Sequence, residues 1–219
     1  SGESSNRQSV SWGDGVYKST DGGKTFTHMG LRAAKAINRI VIDPRDNNII
    51  FVAVTGSLWG PGSERGIYKT VDGGKTWKQT LKVDDDTGAN EVAMDPSNSQ
   101  ILYATMYQRR RTQCCFNGGG AGSGIFKSTD GGETWTKLKG GVLDGELGRI
   151  AVDVYRKRPN ILYALIEGPT PPTGGRGGRG AGPAGEEGPG GAAAAPQEAP
   201  GGRGAGGGAV NDSPTGMYR

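Results

Sequence analysis

Gly15-Val16-Tyr17-Lys18-Ser19-Thr20-Asp21-Gly22-Gly23-Lys24-Thr25-Phe26 recurs as Gly66-Ile67-Tyr68-Lys69-Thr70-Val71-Asp72-Gly73-Gly74-Lys75-Thr76-Trp77. It recurs again as Gly124-Ile125-Phe126-Lys127-Ser128-Thr129-Asp130-Gly131-Gly132-Glu133-Thr134-Trp135. A fourth copy opens at Gly216-Met217-Tyr218-Arg219. The Asp-Gly-Gly segment between two short runs reads as a hairpin turn, because Gly supplies the positive φ that tight turns demand. The starts lie 51, 58 and 92 residues apart, so one supersecondary unit is used repeatedly.

A second element keeps phase with the first. Asn38-Arg39-Ile40-Val41-Ile42-Asp43-Pro44 precedes Ile49-Ile50-Phe51-Val52-Ala53-Val54. Asn90-Glu91-Val92-Ala93-Met94-Asp95-Pro96 precedes Ile101-Leu102-Tyr103-Ala104-Thr105-Met106, and Gly148-Arg149-Ile150-Ala151-Val152-Asp153 precedes Ile161-Leu162-Tyr163-Ala164-Leu165-Ile166. Each unit therefore reads as four short strands, A to D, with an Asp-containing turn between A and B and the Asp-Gly-Gly turn between C and D. Four antiparallel strands in 40–60 residues are the mark of a β-propeller blade. The apolar B strands suit burial between neighbouring blades.

The reading is all-β: about three blades of four antiparallel strands, in an incomplete ring. Residues 1–36 hold the C–D end of one blade, 37–87 a second and 88–146 a third. Residues 147–167 with 215–219 open a fourth, and 168–214 form a Gly/Pro/Ala-rich insertion expected to be disordered. That insertion holds 17 of the chain's 42 glycines, so the high glycine content overstates disorder elsewhere. A propeller needs at least four blades to close, and the expectation is an internal piece of a longer protein whose remaining blades complete the ring.

Composition removes several classes. No run approaches the roughly 20 apolar residues of a membrane span. The glycines keep no three-residue period, which excludes collagen. The net charge of +4 comes from scattered residues, which argues against nucleic acid as a partner. The opening Ser1-Gly2-Glu3-Ser4-Ser5-Asn6-Arg7 is polar and shows no signal peptide. Cys114 and Cys115 are adjacent and cannot staple distant segments. Two free thiols are expected there, a vicinal disulfide being the alternative.

The C–D turn resembles the Asp-box, or BNR, motif, Ser/Thr-x-Asp-x-Gly-x-Thr-Trp/Phe. The copies are Ser19/Asp21/Gly23/Thr25/Phe26, Thr70/Asp72/Gly74/Thr76/Trp77 and Ser128/Asp130/Gly132/Thr134/Trp135. The chain outside 168–214 resembles large secreted bacterial BNR-repeat propellers related to the sortilin/VPS10 propeller, a group often described as glycosyl hydrolase-like. The resemblance implies a secreted, periplasmic or cell-surface bacterial location.

The Asp-box reads as structural: its carboxylate accepts turn amides, Ser or Thr braces it, and the aromatic packs against its own hairpin. Asp43 and Asp95 read as Asx-type turns. Because strands alternate in direction, the A–B and C–D loops share one propeller face, and the B–C and D–A loops the other. The second face is free to bind. On it fall Trp12, Trp59, the acidic run Asp84-Asp85-Asp86, Tyr107, the basic run Arg109-Arg110-Arg111, the two cysteines and the insertion. The acidic run lacks EF-hand spacing, so it reads as a solvated loop with Ca²⁺ as the lesser alternative; no other cofactor is implied. The arginines read as a surface run pairing with Asp84–Asp86, or as a grip on a carboxylate or phosphate. Trp59 is either a sugar-stacking platform or a loop plug. His28, the only histidine, is placed on a D–A connection, which nearly excludes His-based triads.

The favoured function is a binding scaffold for protein, peptide or glycan on the B–C/D–A face. The alternatives are part of a sialidase- or xyloglucanase-like glycoside hydrolase, and an accessory subunit of a membrane complex. No catalytic residue is assigned.

Overall fold

A computed structural model describes residues 11–142, 145–168 and 216–218. The insertion beyond residue 168 lies outside the described residues. Strands β1 (Tyr17–Lys18) and β2 (Thr27–His28) pair as a hairpin, followed by a single 3-10 turn, Arg32–Ala34. One sheet then runs β3 (Ile37–Ile42), β4 (Ile50–Val54), β5 (Gly66–Thr70) and β6 (Lys78–Leu81), each antiparallel to the next. A second sheet repeats this order with β7 (Thr87–Asp95), β8 (Asn98–Gln108), β11 (Gly124–Ser128) and β12 (Thr136–Lys137). Between β8 and β11 the chain adds a small hairpin, β9 (Arg110–Arg111) with β10 (Phe116–Asn117). A third sheet orders β13 (Ile150–Val154), β14 (Leu162–Ile166) and β15 (Gly216–Tyr218). These all-β antiparallel meanders are propeller blades, and their sheets do not close into a ring.

The core lies between sheets. Successive side chains of a strand point to opposite faces. In β4, Phe51 and Ala53 join Val92, Leu102, Ala104 and Met106 of the following sheet. Val52 and Val54 instead join Val16, Ala34 and Ile37 on the preceding side. The second sheet keeps the alternation: Leu102, Ala104 and Met106 face backward, while Tyr103 faces Ile150, Val152 and Ala164 ahead. A strand covered on both faces must be apolar at odd and even positions alike, which is why the B strands show no polar alternation.

Two bulges add a polar join. The ladder shifts between Ile37 and Arg39, and again between Ala89 and Glu91. The extra residue of a bulge leaves the ladder, here Asn38 and Asn90. The Asn38 side chain donates to Asn90 Oδ1 at 3.0 Å, and Asn90 donates to the Ile150 carbonyl at 2.9 Å. Thr55 and Thr105 add parallel bonds to the Ala89 and Ile150 carbonyls of the next sheet.

The Asp-boxes fold as turns. Asp72 accepts from the Thr76 amide at 2.9 Å and from its hydroxyl at 2.7 Å, while Thr70 donates to the same carboxylate at 2.7 Å and accepts the Gly74 amide at 3.0 Å. The Asp21 and Asp130 boxes repeat this net. Gly73 and Gly74 sit at φ +72° and +97°, a region costly for side-chain-bearing residues. Asp43 and Asp95 form the expected Asx turns, accepting the Arg45 and Ser97 amides at 2.9 and 2.7 Å.

The box tryptophans reach further than their own turn. Trp77 lies over its own hairpin, where a Cβ at Gly74 would stand 3.4 Å from the ring, and it also bonds to the preceding unit. The Trp77 indole donates to the Met29 carbonyl at 2.6 Å, and Trp135 reaches Thr80 at 3.4 Å. Phe26, at the same motif position, is 64% exposed. His28 is also corrected: it lies within β2, where a ring nitrogen meets the Asp14 carbonyl at 2.7 Å and the ring packs edge-on to Tyr17.

Trp77→Ala removes an inter-sheet contact and a hydrogen bond, whereas Phe26→Ala removes little that is covered. In urea denaturation of this chain, Trp77→Ala is expected to cost about 2–4 kcal/mol and Phe26→Ala less than about 0.5 kcal/mol.

Acid sensitivity provides a second check. Hydrogen bonds from Thr25, then Ser19, hold the Asp21 carboxyl down to about 2 from an ordinary 3.8, and Asp72 and Asp130 are lowered by the same geometry. A depressed folded-state pKa gives stability that is present above the unfolded value and lost as pH falls through the folded one. The wild-type chain is therefore expected to lose stability between about pH 4 and pH 2. The triple variant Asp21→Asn, Asp72→Asn, Asp130→Asn should be less stable at pH 7 and lose less over that interval, as read by denaturant midpoints.

Candidate functional site

The B–C/D–A face is built where three segments meet: the β4–β5 loop (55–65), the β6–β7 connection (82–86) and the β8–β11 excursion (109–123). Backbone bonds join them. Gly62 donates to the Asp85 carbonyl at 2.8 Å, Arg109 to Asp86 at 3.2 Å and Arg111 to Leu58 at 2.9 Å.

Arg65 anchors this arrangement. It is fully buried, and its guanidinium donates to the carbonyls of Thr55, Ser57, Gly60 and Asp86. A planar fork of N–H donors suits several convergent carbonyls, which a point-charge Lys could not serve together. Gly56 makes the close approach possible: a Cβ there would lie 2.6 Å from Arg65 Cγ, and its φ is +76°.

The loop thus held divides its apolar residues. Leu58 is fully buried and serves as the plug, while Trp59 is 51% exposed. The Arg111 guanidinium stands 5.8 Å from the Trp59 ring centre, a cation–π arrangement that fixes the ring's inner side. Trp59 is therefore not the loop plug, a place that Leu58 takes.

The charged runs meet at one ion pair. Asp86 faces Arg110 at 3.5 Å, Asp85 faces Lys82 at 2.6 Å, and Asp84 accepts the Asp86 amide at 2.8 Å. The acidic carboxylates therefore turn to different partners. Among the described residues no three His, Cys, Asp or Glu side chains converge as a metal site.

Two candidates leave the face. Tyr107 is 2% exposed and Arg109 is 0% exposed, so neither belongs to a surface run. Tyr107 lies inside β8, which extends to Gln108, and the alternation of that strand carries it inward. Burial raises the Tyr107 phenol, with the Glu167 charge adding to the effect, and burial lowers Arg109 to about 10. Arg110 and Arg111, on β9, are the residues that remain at the surface.

The cysteines are also corrected: Cys114 and Cys115 are bonded to each other. They lie in the turn of the β9–β10 hairpin, where the Thr112 amide donates to the Cys115 carbonyl at 2.8 Å. An open cavity of about 300 Å³ lies beside this hairpin, lined by Asp86, Gln108, Arg110, Thr112, Cys115 and Phe116, with Asn117 at its edge. Trp12 is exposed elsewhere, with Lys35 Nζ 4.6 Å above its ring.

Sequence reasoning missed Arg65 and Phe116. Arg65 had a usable signal. It occupies the position before the first Gly of the repeat, where the other copies carry Asp14 and Ser123, and its charge has no equivalent there.

The Sortilin-Vps10 model (Sortilin, neurotensin receptor 3) matches residues 14–164. The chain belongs to the Sortilin-Vps10 family. A xyloglucanase of Hypocrea jecorina is 36% identical over 112 residues, 47% of this chain and 12% of the relative. Xyloglucanase Xgh74A of Acetivibrio thermocellus is 28% identical over 112 residues, with the same shares. The chain thus spans about an eighth of the length of these curated relatives. The GH74 xyloglucanase of Xanthomonas campestris superposes with a TM-score of 0.52 at 17% identity, covering 70% of this chain and 24% of that one. An ancestral GH74 enzyme superposes at 0.50 and 18% identity, covering 70% and 19%. At these identities the superpositions establish the propeller fold alone.

Arg65→Lys keeps the charge but loses the fork. It is expected to cost about 1–3 kcal/mol of stability and to release the 55–64 loop, seen as faster proteolytic cleavage there and greater solvent quenching of Trp59 fluorescence.

Proposed function

We propose that this chain is the part of an extracytoplasmic β-propeller that binds a neutral polysaccharide of the β-glucan type on its B–C/D–A face, within a ring completed by further blades. The observation that carries this reading is Trp59. It is a half-exposed aromatic plate on a loop fixed from below by Leu58 and Arg65. A rigid ring in a polar surround offers its face to the C–H side of a sugar while nearby groups meet the hydroxyls. The xyloglucanase relatives favour glycan over peptide or protein. The exposed Cys114–Cys115 disulfide suits an oxidising compartment.

A glycoside hydrolase is the second reading, favoured by the names of those relatives. It requires two carboxyls about 5–10 Å apart, one with a raised pKa. Among the described residues every carboxyl with a displaced pKa is lowered: Asp21, Asp43, Asp72, Asp130 and Glu133. This segment is therefore better suited to holding a glycan than to protonating one.

Calorimetric titration with xyloglucan, cello-, xylo- and chitooligosaccharides tests the proposal. Binding of a β-glucan oligosaccharide that weakens tenfold or more in Trp59→Ala, about 1.4 kcal/mol, is the expected result. If no glycan binds, the proposal fails. Chromatography of the same mixtures should show unchanged chain lengths; shortened products would establish the hydrolase reading instead.

A further inference from the structure

The cavity beside the β9–β10 hairpin is separate from Trp59 of the β4–β5 loop, although the same hairpin touches both. Arg111 goes to Trp59 and Arg110 goes to Asp86 at the cavity. The geometry points to a subsite for a single pyranose unit in this cavity, with the Cys114–Cys115 disulfide bracing its outer wall. The inference rests on the glycan-binding reading and narrows it to one sugar ring at a named place.

Size comes first. A volume of about 300 Å³ is at the lower end of small-molecule pockets. It suits one sugar ring and is too small for a folded peptide segment.

Charge comes second. Asp86 and Arg110 cancel, so the cavity selects neither an anion nor a cation. Their 3.5 Å separation exceeds the 2.7–2.9 Å of a strong charge-assisted bond. The Arg110 guanidinium has this ion pair as its polar partner among the described residues, although it carries five N–H donors. A strong donor and a strong acceptor side by side, both incompletely used, match two neighbouring hydroxyls: one oxygen accepts from Arg110 and the other hydroxyl donates to Asp86. Gln108 is fixed at the cavity, with its amide oxygen accepting from Gly122 at 2.9 Å.

The apolar part comes third. Phe116 is 43% exposed and lines the cavity with Cys115. Its ring rests over Gly118, where a Cβ would approach to 2.8 Å. This supplies an aromatic surface for the C–H side of a sugar, next to polar groups for its edge.

The disulfide closes the wall. Bonding adjacent cysteines makes a small ring that includes the peptide link between them, so the residues lose nearly all independent torsional freedom. Thr112 ties this ring to β9, its amide donating to the Cys115 carbonyl at 2.8 Å and its hydroxyl 3.5 Å from Cys114 Sγ. The wall is thereby ordered before any sugar arrives, which lowers the entropic cost of binding.

The test is calorimetric titration of the full chain with a β-glucan oligosaccharide. Wild type, Trp59→Ala, Arg110→Ala, the isosteric Asp86→Asn, Phe116→Ala and the double variant Cys114→Ser/Cys115→Ser are compared, with thermal denaturation confirming that each is folded. Arg110→Ala, Asp86→Asn and Phe116→Ala are each expected to raise Kd tenfold or more. A phosphine reductant should raise the wild-type Kd severalfold and leave the double serine variant unchanged. Affinity that depends on Trp59 but is unaltered in those three cavity variants overturns the subsite while preserving the wider reading. Failure of wild type to bind any glycan overturns both. Affinity unchanged by reduction removes the disulfide from the subsite.

Discussion

The structure depends on burying each B strand between two neighbours. Phe51 and Ala53 on one face of β4 are completed by Val92, Leu102, Ala104 and Met106 of the following sheet, and Val52 and Val54 on the other by Val16 and Ala34 on the preceding side. A lone four-stranded meander would leave both apolar faces in water, at about 25 cal/mol for each Å² that stays exposed. Stability is therefore a property of the joins between units, as in other repeat architectures. The remaining devices serve the same joins: the bulge asparagines, the threonine bonds to neighbouring carbonyls, and the Asp-box indoles that reach backward.

That constraint also sets the two propeller faces apart. The turns on the Asp-box face are occupied by their own hydrogen-bond nets, with carboxylates saturated by turn amides and hydroxyls. The opposite face carries loops of unequal length that owe nothing to the repeat. There the chain uses one irregular residue, Arg65, to gather four carbonyls and so convert a glycine-rich loop into a fixed mount for Trp59. The scaffold makes the face, and the departures from the repeat give that face its particular shape.

The blade pattern was readable because it depends on local chemistry and is stated three times. Asp-Gly-Gly turns and doubly apolar B strands need no knowledge of long-range contacts. Features set by long-range contacts escape such reading. The direction in which Trp77 and Trp135 point is set by the neighbouring sheet, which hairpin reasoning does not include. The inward turn of Tyr107 and Arg109 follows from the extension of β8 to Gln108, whereas charge alone suggested a surface run. The union of Cys114 with Cys115 depends on the tight turn between β9 and β10, which no spacing rule reports. At Trp59 the sequence leaves a plate and a plug equally open; in the structure Leu58 is the buried residue of the loop and Trp59 is half exposed.

Near-identical repeats face a hazard of mispairing, because any blade can in principle dock against any other. The third Asp-box differs from the others at one position, Glu133, where the first two carry Lys24 and Lys75. Glu133 reaches back to Lys69 at 2.6 Å and Lys78 at 2.8 Å on the preceding sheet. The Lys78 pair is exposed and adds little to stability, while Lys69 is largely covered, its side chain 13% exposed. Their weight lies in discrimination: a lysine-bearing box set in the same place would bring three positive charges together. The single charge reversal thus disfavours a lysine-bearing box at this join.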